Sequence, residues 1–143
     1  MEPLRISTAA EEQDVVLIHR FLSEESAWAK GIPLETVRAS VKNSLSFGGF
    51  IGSSQVAFAR VVSDHATFAY LVDVFVLPEH RGNGYSVQLM AAVMEDPRLQ
   101  GLRRFMLATS TAHELYARFG FTAPVRPEAL MERFVPNAYA HGL

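Results

Sequence analysis

One segment constrains this chain more than any other: Val72-Asp73-Val74-Phe75-Val76-Leu77-Pro78-Glu79-His80-Arg81-Gly82-Asn83-Gly84-Tyr85-Ser86. It continues a run from Thr67 to Leu77 that is apolar apart from Tyr70 and Asp73, the pattern of a strand covered on both faces. Pro78 cannot donate to a sheet ladder and ends that strand. From about Gly84 to Glu95, Val87, Met90, Ala91 and Met94 fall at i, i+3, i+4 and i+7, which predicts a helix with one buried face. Strand, tight turn and helix therefore follow one another directly. Gly82 and Gly84 remove Cβ atoms where the chain turns, so successive N–H groups can converge on an anion at the positive end of the helix. A diphosphate is the natural guest, although a Gly-x-Gly by itself also suits a bare strand-to-helix turn that holds nothing.

Two other phosphate loops are excluded by particular residues. A Walker loop ends in Gly-Lys-Ser/Thr, and Gly84-Tyr85-Ser86 has no lysine to reach a terminal phosphate. A dinucleotide fingerprint needs a third glycine in an early βαβ unit; position 87 is Val, and the strands before it read as a hairpin meander.

The rest of the chain supplies a sheet for that unit. Leu4 to Thr8 reads as a short strand. A helix over about Ala10 to Glu24 carries Val15, Ile18 and Leu22 on one face, and after Gly31-Ile32-Pro33 the set Leu34, Val37, Val41 and Leu45 predicts a second. Phe47–Ile51 and Gln55–Val62 flank Gly52-Ser53-Ser54, which has the length and chemistry of a hairpin turn. Arg104 to Ala108 is a further strand, Ala112 to Phe119 a short helix closed by Gly120, and Leu130 to Val135 a last strand. Strands and helices mix as α+β, in one domain spanning 1–143, with a mostly antiparallel central sheet and about four helices. The 143 residues are 49% hydrophobic and include 10 Phe, 4 Tyr and 1 Trp, enough apolar surface for one core.

Composition removes whole classes of function. Thirteen basic against fifteen acidic side chains give a formal charge of -2, without the basic stripe of a nucleic-acid binder. Zero cysteines exclude disulfide scaffolds, thiolate zinc sites and thiol nucleophiles. The five histidines, at 19, 65, 80, 113 and 141, have no ligand spacing, so no metal is expected. Asn43 to Ala59, the longest uncharged stretch, is interrupted by glycines, serines and Gln55 and cannot span a bilayer. The start, Met1-Glu2-Pro3-Leu4-Arg5, lacks the basic and apolar regions of a secretory signal, so a cytoplasmic location is the default expectation.

The segment Arg81-Gly82-Asn83-Gly84-Tyr85-Ser86, following Val76-Leu77-Pro78, resembles the Arg/Gln-x-x-Gly-x-Gly/Ala motif of the GNAT superfamily of acyl-CoA-dependent N-acyltransferases. A second match lies in register downstream, where Ala112-His113-Glu114-Leu115-Tyr116-Ala117-Arg118-Phe119-Gly120-Phe121 is similar to the family's Ala-x-x-x-Tyr-x-x-x-Gly-Phe. The resemblance covers nearly the whole chain and implies a central sheet of about six to seven strands. It departs from the family pattern at Ser86, usually Gly or Ala, and at Thr109, where many members carry Asn.

What the resemblance implies can be set out residue by residue. Acetyl-CoA is the acyl donor. Its diphosphate lies on Arg81, Gly82, Asn83, Gly84, Tyr85 and Ser86, and its pantetheine arm pairs with the backbone of Val74, Phe75 and Val76, near Thr109. A strand N–H there polarises the thioester where the strand parts from its neighbour. Acetyl transfer also needs a proton for the departing thiolate, and Tyr116 matches the family's general acid; a phenol of pKa about 10 gives a proton to a thiolate of about 8.5 somewhat uphill, which a lowered pKa would ease. Leu115 and Phe119, at i and i+4, already supply the buried pair of that short helix, leaving Tyr116 about 100° away.

Asp73 is the only charged residue between His65 and Glu79, and burial would raise its pKa into a basic catalyst's range. It equally suits a carboxylate that caps a loop or orients the acceptor, and a water relay is a third route. The family's acceptor site directs attention to Glu25 and Trp28, whose charge and ring suit a cationic amine. The expected partner is thus an amine acceptor, a small molecule or a protein, in a monomer or a homodimer. The alternative to an N-acetyltransferase is a catalytically silent acyl-CoA-binding module.

Overall fold

The structure, a computed structural model, describes residues 3–139. Five strands, β1 (Arg5–Ser7), β2 (Leu45–Ile51), β3 (Ser54–Ser63), β4 (Phe68–Val76) and β5 (Arg104–Leu107), form one sheet in the order β1-β2-β3-β4-β5. The first three junctions are antiparallel and the last is parallel. Gly52, at φ +60°, makes the β2–β3 turn. The β3–β4 turn is built by Asp64, whose carboxylate accepts from the N–H groups of Ala66, Thr67 and Phe68 and from the Thr67 hydroxyl. These donors favour the charged form and hold the Asp64 carboxyl far below the usual carboxylate range.

Helices α1 (Val15–Arg20) and α2 (Leu34–Lys42) cover one face of the sheet, and α3 (Tyr85–Glu95) and α4 (His113–Ala117) belong to the other. On the first face Ile18, Phe21, Leu22, Val37 and Val41 meet Phe58, Phe75 and Leu77. Phe21 stacks on Phe75 with ring centroids 4.0 Å apart, worth about 1 kcal/mol beyond the area buried. On the second, Leu89, Met90, Val93 and Tyr116 meet Phe47, Val61, Ala69 and Leu71. A buried amide clasp ties the start of α1 to the hairpin: Gln55 Nε2 donates to Gln13 Oε1 at 3.0 Å, and Asp14 N–H donates to Gln55 Oε1 at 2.7 Å.

β4 does not keep one alternation along its length. Ala69 and Leu71 face the α3 layer, whereas Phe75, of the same parity, faces α1 and α2. The switch lies at a bulge: Phe58 opposes Phe75 and Arg60 opposes Val72, so Ala59 alone faces both Asp73 and Val74. Asp73 absorbs the extra residue at φ +57°. One inserted residue moves every later side chain to the opposite face.

Two expectations are corrected. The sheet has five strands among the described residues, not six to seven, because Leu130–Val135 is not a strand. Phe134 and Val135 are 73% and 64% exposed, and with no neighbouring strand to bond, the segment remains an extended arm. The helix expected over Ala10–Glu24 is three pieces: a 3₁₀ turn at Ala10–Glu12, α1, and a π-helical turn at Phe21–Glu25. The break occurs because Asp14 restarts the helix, its carboxylate accepting from Leu17 N–H, while the Gln13 side chain donates to the carbonyls of Ser7 and Ala9.

Candidate active site

Between β4 and α3 the chain turns through Pro78–His80 and the two glycines, Gly82 at φ +84° and Gly84 at φ +76°. Gly84 opens α3 in the left-handed conformation, which costs an L side chain roughly 1–2 kcal/mol. No acceptor among the described residues takes the N–H groups of Gly82, Asn83, Gly84 or Ser86. A Cβ at either glycine would meet nothing within 4 Å, so the outer side of the turn at these two residues is open. Two side chains brace the loop from behind: Arg81 Nε donates to the Val76 carbonyl at 2.9 Å, and Asn83 Nδ2 to the His80 carbonyl at 3.1 Å. The Tyr85 ring is buried in the core, which leaves that residue's main chain as the part facing the turn.

β4 pairs with β5 from Phe68/Arg104 to Leu71/Leu107 and no further. β5 ends at Leu107, opposite Leu71, so Val72–Val76 keep register only with β3. Val74, Phe75 and Val76 lie in this stretch, with no strand partner on the β5 side. The Phe75 side chain is committed to the core, so only its backbone is open to a ligand. Two clefts flank α4. One, of about 510 Å³, lies between the first turn of α3, at Ser86 and Val87, and the start of α4; the other, of about 850 Å³, runs along β5 past Thr109 and Tyr116. His113 borders both.

Thr109 Oγ1 accepts from the Ala112 N–H at 3.0 Å and so caps the turn into α4, leaving its own hydroxyl proton to donate elsewhere. Tyr116 is buried to 8% exposure with its ring edge-on to Phe121. Burial pushes its phenol above the ordinary tyrosine value, opposite to the lowering that would ease proton transfer.

On the far side of the bulge, Asp73 is buried and both its carboxylate oxygens are engaged. Trp28 Nε1 donates to Oδ1 at 2.8 Å and Arg60 Nε to Oδ2 at 2.9 Å, while Arg60 Nη1 reaches Ser44 Oγ. Trp28 itself is 53% exposed, held by its indole nitrogen with one part of the ring in water. Glu25, also exposed, ends the π-helical turn and makes no hydrogen bond among the described residues to Trp28 or Asp73. Sequence reasoning missed Arg60. The signal available was a single charge inside the apolar strand Gln55–Val62, across a hairpin from the single charge of the next strand. Among the described residues no cluster of His, Asp and Glu could hold a metal, and no helix is long and apolar enough to cross a membrane.

The five-stranded sheet with its strand–glycine turn–helix unit at β4 and α3 is shared with known members of one enzyme family. The acetyltransferase (GNAT) family model matches residues 9–121, and the chain belongs to that family. An inferred acetyltransferase of Gibberella zeae is 30% identical over 135 residues, covering 79% of this chain and 75% of the relative. A GNAT-family protein from Xanthomonas campestris pv. campestris, of known crystal structure, superposes with a TM-score of 0.95 at 61% identity over 98% of this chain and 99% of its own. At 15% identity, an acetyltransferase from Clostridium acetobutylicum crystallised with acetyl-CoA shares the fold with a TM-score of 0.65, covering 94% and 96% of the two chains.

Proposed function

We propose that the protein moves an acetyl group from acetyl-CoA to an amine, of a small molecule or of a protein. The observation that carries this reading is the row of N–H groups at Gly82, Asn83, Gly84 and Ser86, which no acceptor among the described residues takes, in the turn that follows β4. Such a row fits a diphosphate, because backbone donors and the α3 dipole both favour concentrated negative charge and no side chain fills the space. The fold-mate crystallised with acetyl-CoA supports the same donor.

Bound acetyl-CoA supplies an activated thioester and a thiol leaving group. Arg81, tied to the Val76 carbonyl, keeps the turn against the end of β4, and the amides from Gly82 to Ser86 bind. The backbone of Val74, Phe75 and Val76, without a strand partner on the β5 side, aligns the pantetheine arm as a further strand would, with the Thr109 hydroxyl beside it. As the carbon–nitrogen bond forms and the carbon–sulfur bond breaks, Tyr116 gives its proton to the departing sulfur, and the proton lost by the amine returns to the phenolate through water. Its raised pKa keeps it protonated at every physiological pH, and the transfer to a thiol of about 8.5 from a phenol above 10 costs at least about 2 kcal/mol. Of the roles open to Asp73, the orienting one fits its engaged oxygens: it fixes the indole of Trp28, whose exposed ring offers a cationic amine a cation–π surface near the negative Glu25.

The test is release of free CoA thiol from acetyl-CoA on adding polyamines, amino acids, aminoglycosides or peptides in turn, with thermal stability followed alongside. Release with at least one class is the expected result. Stabilisation by CoA without release on any amine identifies the silent binding module, and no stabilisation by millimolar CoA removes both.

A further inference from the structure

Trp28, the one tryptophan of the chain, sits half-exposed in the link between the π-helical turn and α2. The backbone of that link is fixed on both sides of it. Ser26 Oγ accepts from the Ala29 N–H at 3.0 Å and donates to the Leu22 carbonyl at 2.6 Å, and the Gly31 N–H donates to the Ser23 carbonyl at 3.0 Å. The Trp28 ring stacks on no other aromatic side chain among the described residues. Its indole N–H donates to Asp73 Oδ1 at 2.8 Å, so the direction of a ring that is half in water follows the direction of that carboxylate.

The carboxylate is in turn held from behind. Arg60 Nε donates to Asp73 Oδ2 and Arg60 Nη1 to Ser44 Oγ, both at 2.9 Å, and the Ser44 hydroxyl donates to the Ser40 carbonyl of α2 at 2.6 Å. The chain Ser40–Ser44–Arg60–Asp73–Trp28 is therefore unbroken. It starts in α2, crosses β3 and the bulge of β4, and returns to the link that precedes α2. A carboxylate can turn about its Cβ–Cγ bond even on a fixed strand, and a planar guanidinium gripping two points at once is what stops it. A lysine ammonium, a point charge on a flexible stem, lacks that fork.

We propose that Arg60 is a positioning residue for the acceptor: by clamping Asp73 between Ser44 and Trp28 it holds the indole at the angle in which the ring meets the incoming cationic amine. Arg60 acts through Asp73 and Trp28, without itself touching the amine or acetyl-CoA. This role presupposes that Trp28 receives the acceptor, as set out above. A ring fixed before binding has little freedom left to lose when the amine arrives, so the clamp acts on affinity for the acceptor more than on the rate of bond making. The same bond shapes what the ring offers. An indole N–H donating to a carboxylate pushes electron density into the ring and strengthens its face toward a cation.

Because the chain has one tryptophan, its proton–nitrogen spectrum carries one indole resonance, and exchange of that proton with solvent reads the bond from Trp28 to Asp73 directly. In Arg60→Lys, which keeps a cation beside Asp73 while removing the fork, indole exchange should be about tenfold faster or more, with CoA affinity unchanged. Ser44→Ala removes only the outer anchor; it should shift exchange in the same direction and reads the same link should the lysine variant fail to fold. With the amine most active in thiol release, Arg60→Lys should raise KM about tenfold and change kcat by no more than about twofold. In a Trp28→Phe background the same substitution should change KM no further, since the indole tether is already gone. Indole exchange as slow in the variants as in the wild type overturns the proposal, and so does a rise in KM that multiplies with that of Trp28→Phe. Absence of turnover on every amine removes the acceptor reading and with it this role of Arg60, whereas unchanged exchange with turnover intact removes the role of Arg60 alone.

Discussion

Tyr116 shows how burial decides what a side chain can do. A phenol taken out of water resists becoming phenolate, so its acid form persists as pH rises. Tyr116→Phe should therefore lower turnover about 10²- to 10⁴-fold with CoA affinity little changed. In the wild type the alkaline limb of kcat assigned to this group should fall above pH about 10. Unaltered turnover in the variant, measured by thiol release, would take Tyr116 out of the mechanism. Arg60 and Asp73 make a different case, two charges with side chains only 15% and 7% exposed and 2.9 Å apart. Removing one leaves the other buried and unpaired, so Arg60→Met should cost about 3 kcal/mol in urea denaturation. Adding Asp73→Asn should recover part of that loss; a single variant as stable as wild type would show that the pair holds nothing together.

Among the elements, the glycine turn and the β3–β4 turn are shaped by opposite means. The glycine turn relies on having no side chains. Gly84→Val meets no steric obstacle, so the apo protein should lose only the roughly 1–2 kcal/mol of left-handed strain, while CoA affinity falls at least tenfold because the branched side chain occupies the ligand's approach. Equal affinity by calorimetry would refute the cradle. The β3–β4 turn relies on one carboxylate. The folded pKa of Asp64 is depressed, so its contribution is present above the unfolded value of about 3.9 and is lost as pH falls further. Melting temperature measured from pH 5 to pH 2 should drop more steeply in wild type than in Asp64→Ala; parallel curves would show the clasp to be inert. The glycine turn was legible from sequence because Pro78 and two glycines act through their own backbones. The bulge in β4 was not, since Asp73 takes φ +57° only because β3 holds the strand on both sides of it.

For the whole molecule, the consequential fact is that the glycine turn, the end of β4 and α4 come from one sheet and its α3 layer. A ligand touching all three stabilises the fold as a unit. CoA at 100 times its Kd should add about 2.7 kcal/mol to unfolding, and exchange should slow in β4 and α3 together. Protection confined to the turn would mean that the strands take no part in binding.

Most of the architecture is written locally. Helical spacing, the Gly52 hairpin, the apolar run into Pro78 and the Gly-x-Gly turn each depend on neighbours a few residues away, and α1 to α4 and β1 to β5 follow, as does the family. Three features depended on contacts far apart in the chain. Asp73 meets Arg60 across 13 residues and Trp28 across 45, so its surroundings are set by strand register and helix packing rather than by its own neighbourhood. The helix expected from Ala10 is interrupted at Gln13 and Asp14, where local caps combine with bonds from both residues to Gln55, 42 and 41 residues away. The strand expected at Leu130–Val135 has no other strand beside it, because a strand, unlike a helix, bonds its main chain to another segment and exists only where folding brings one alongside.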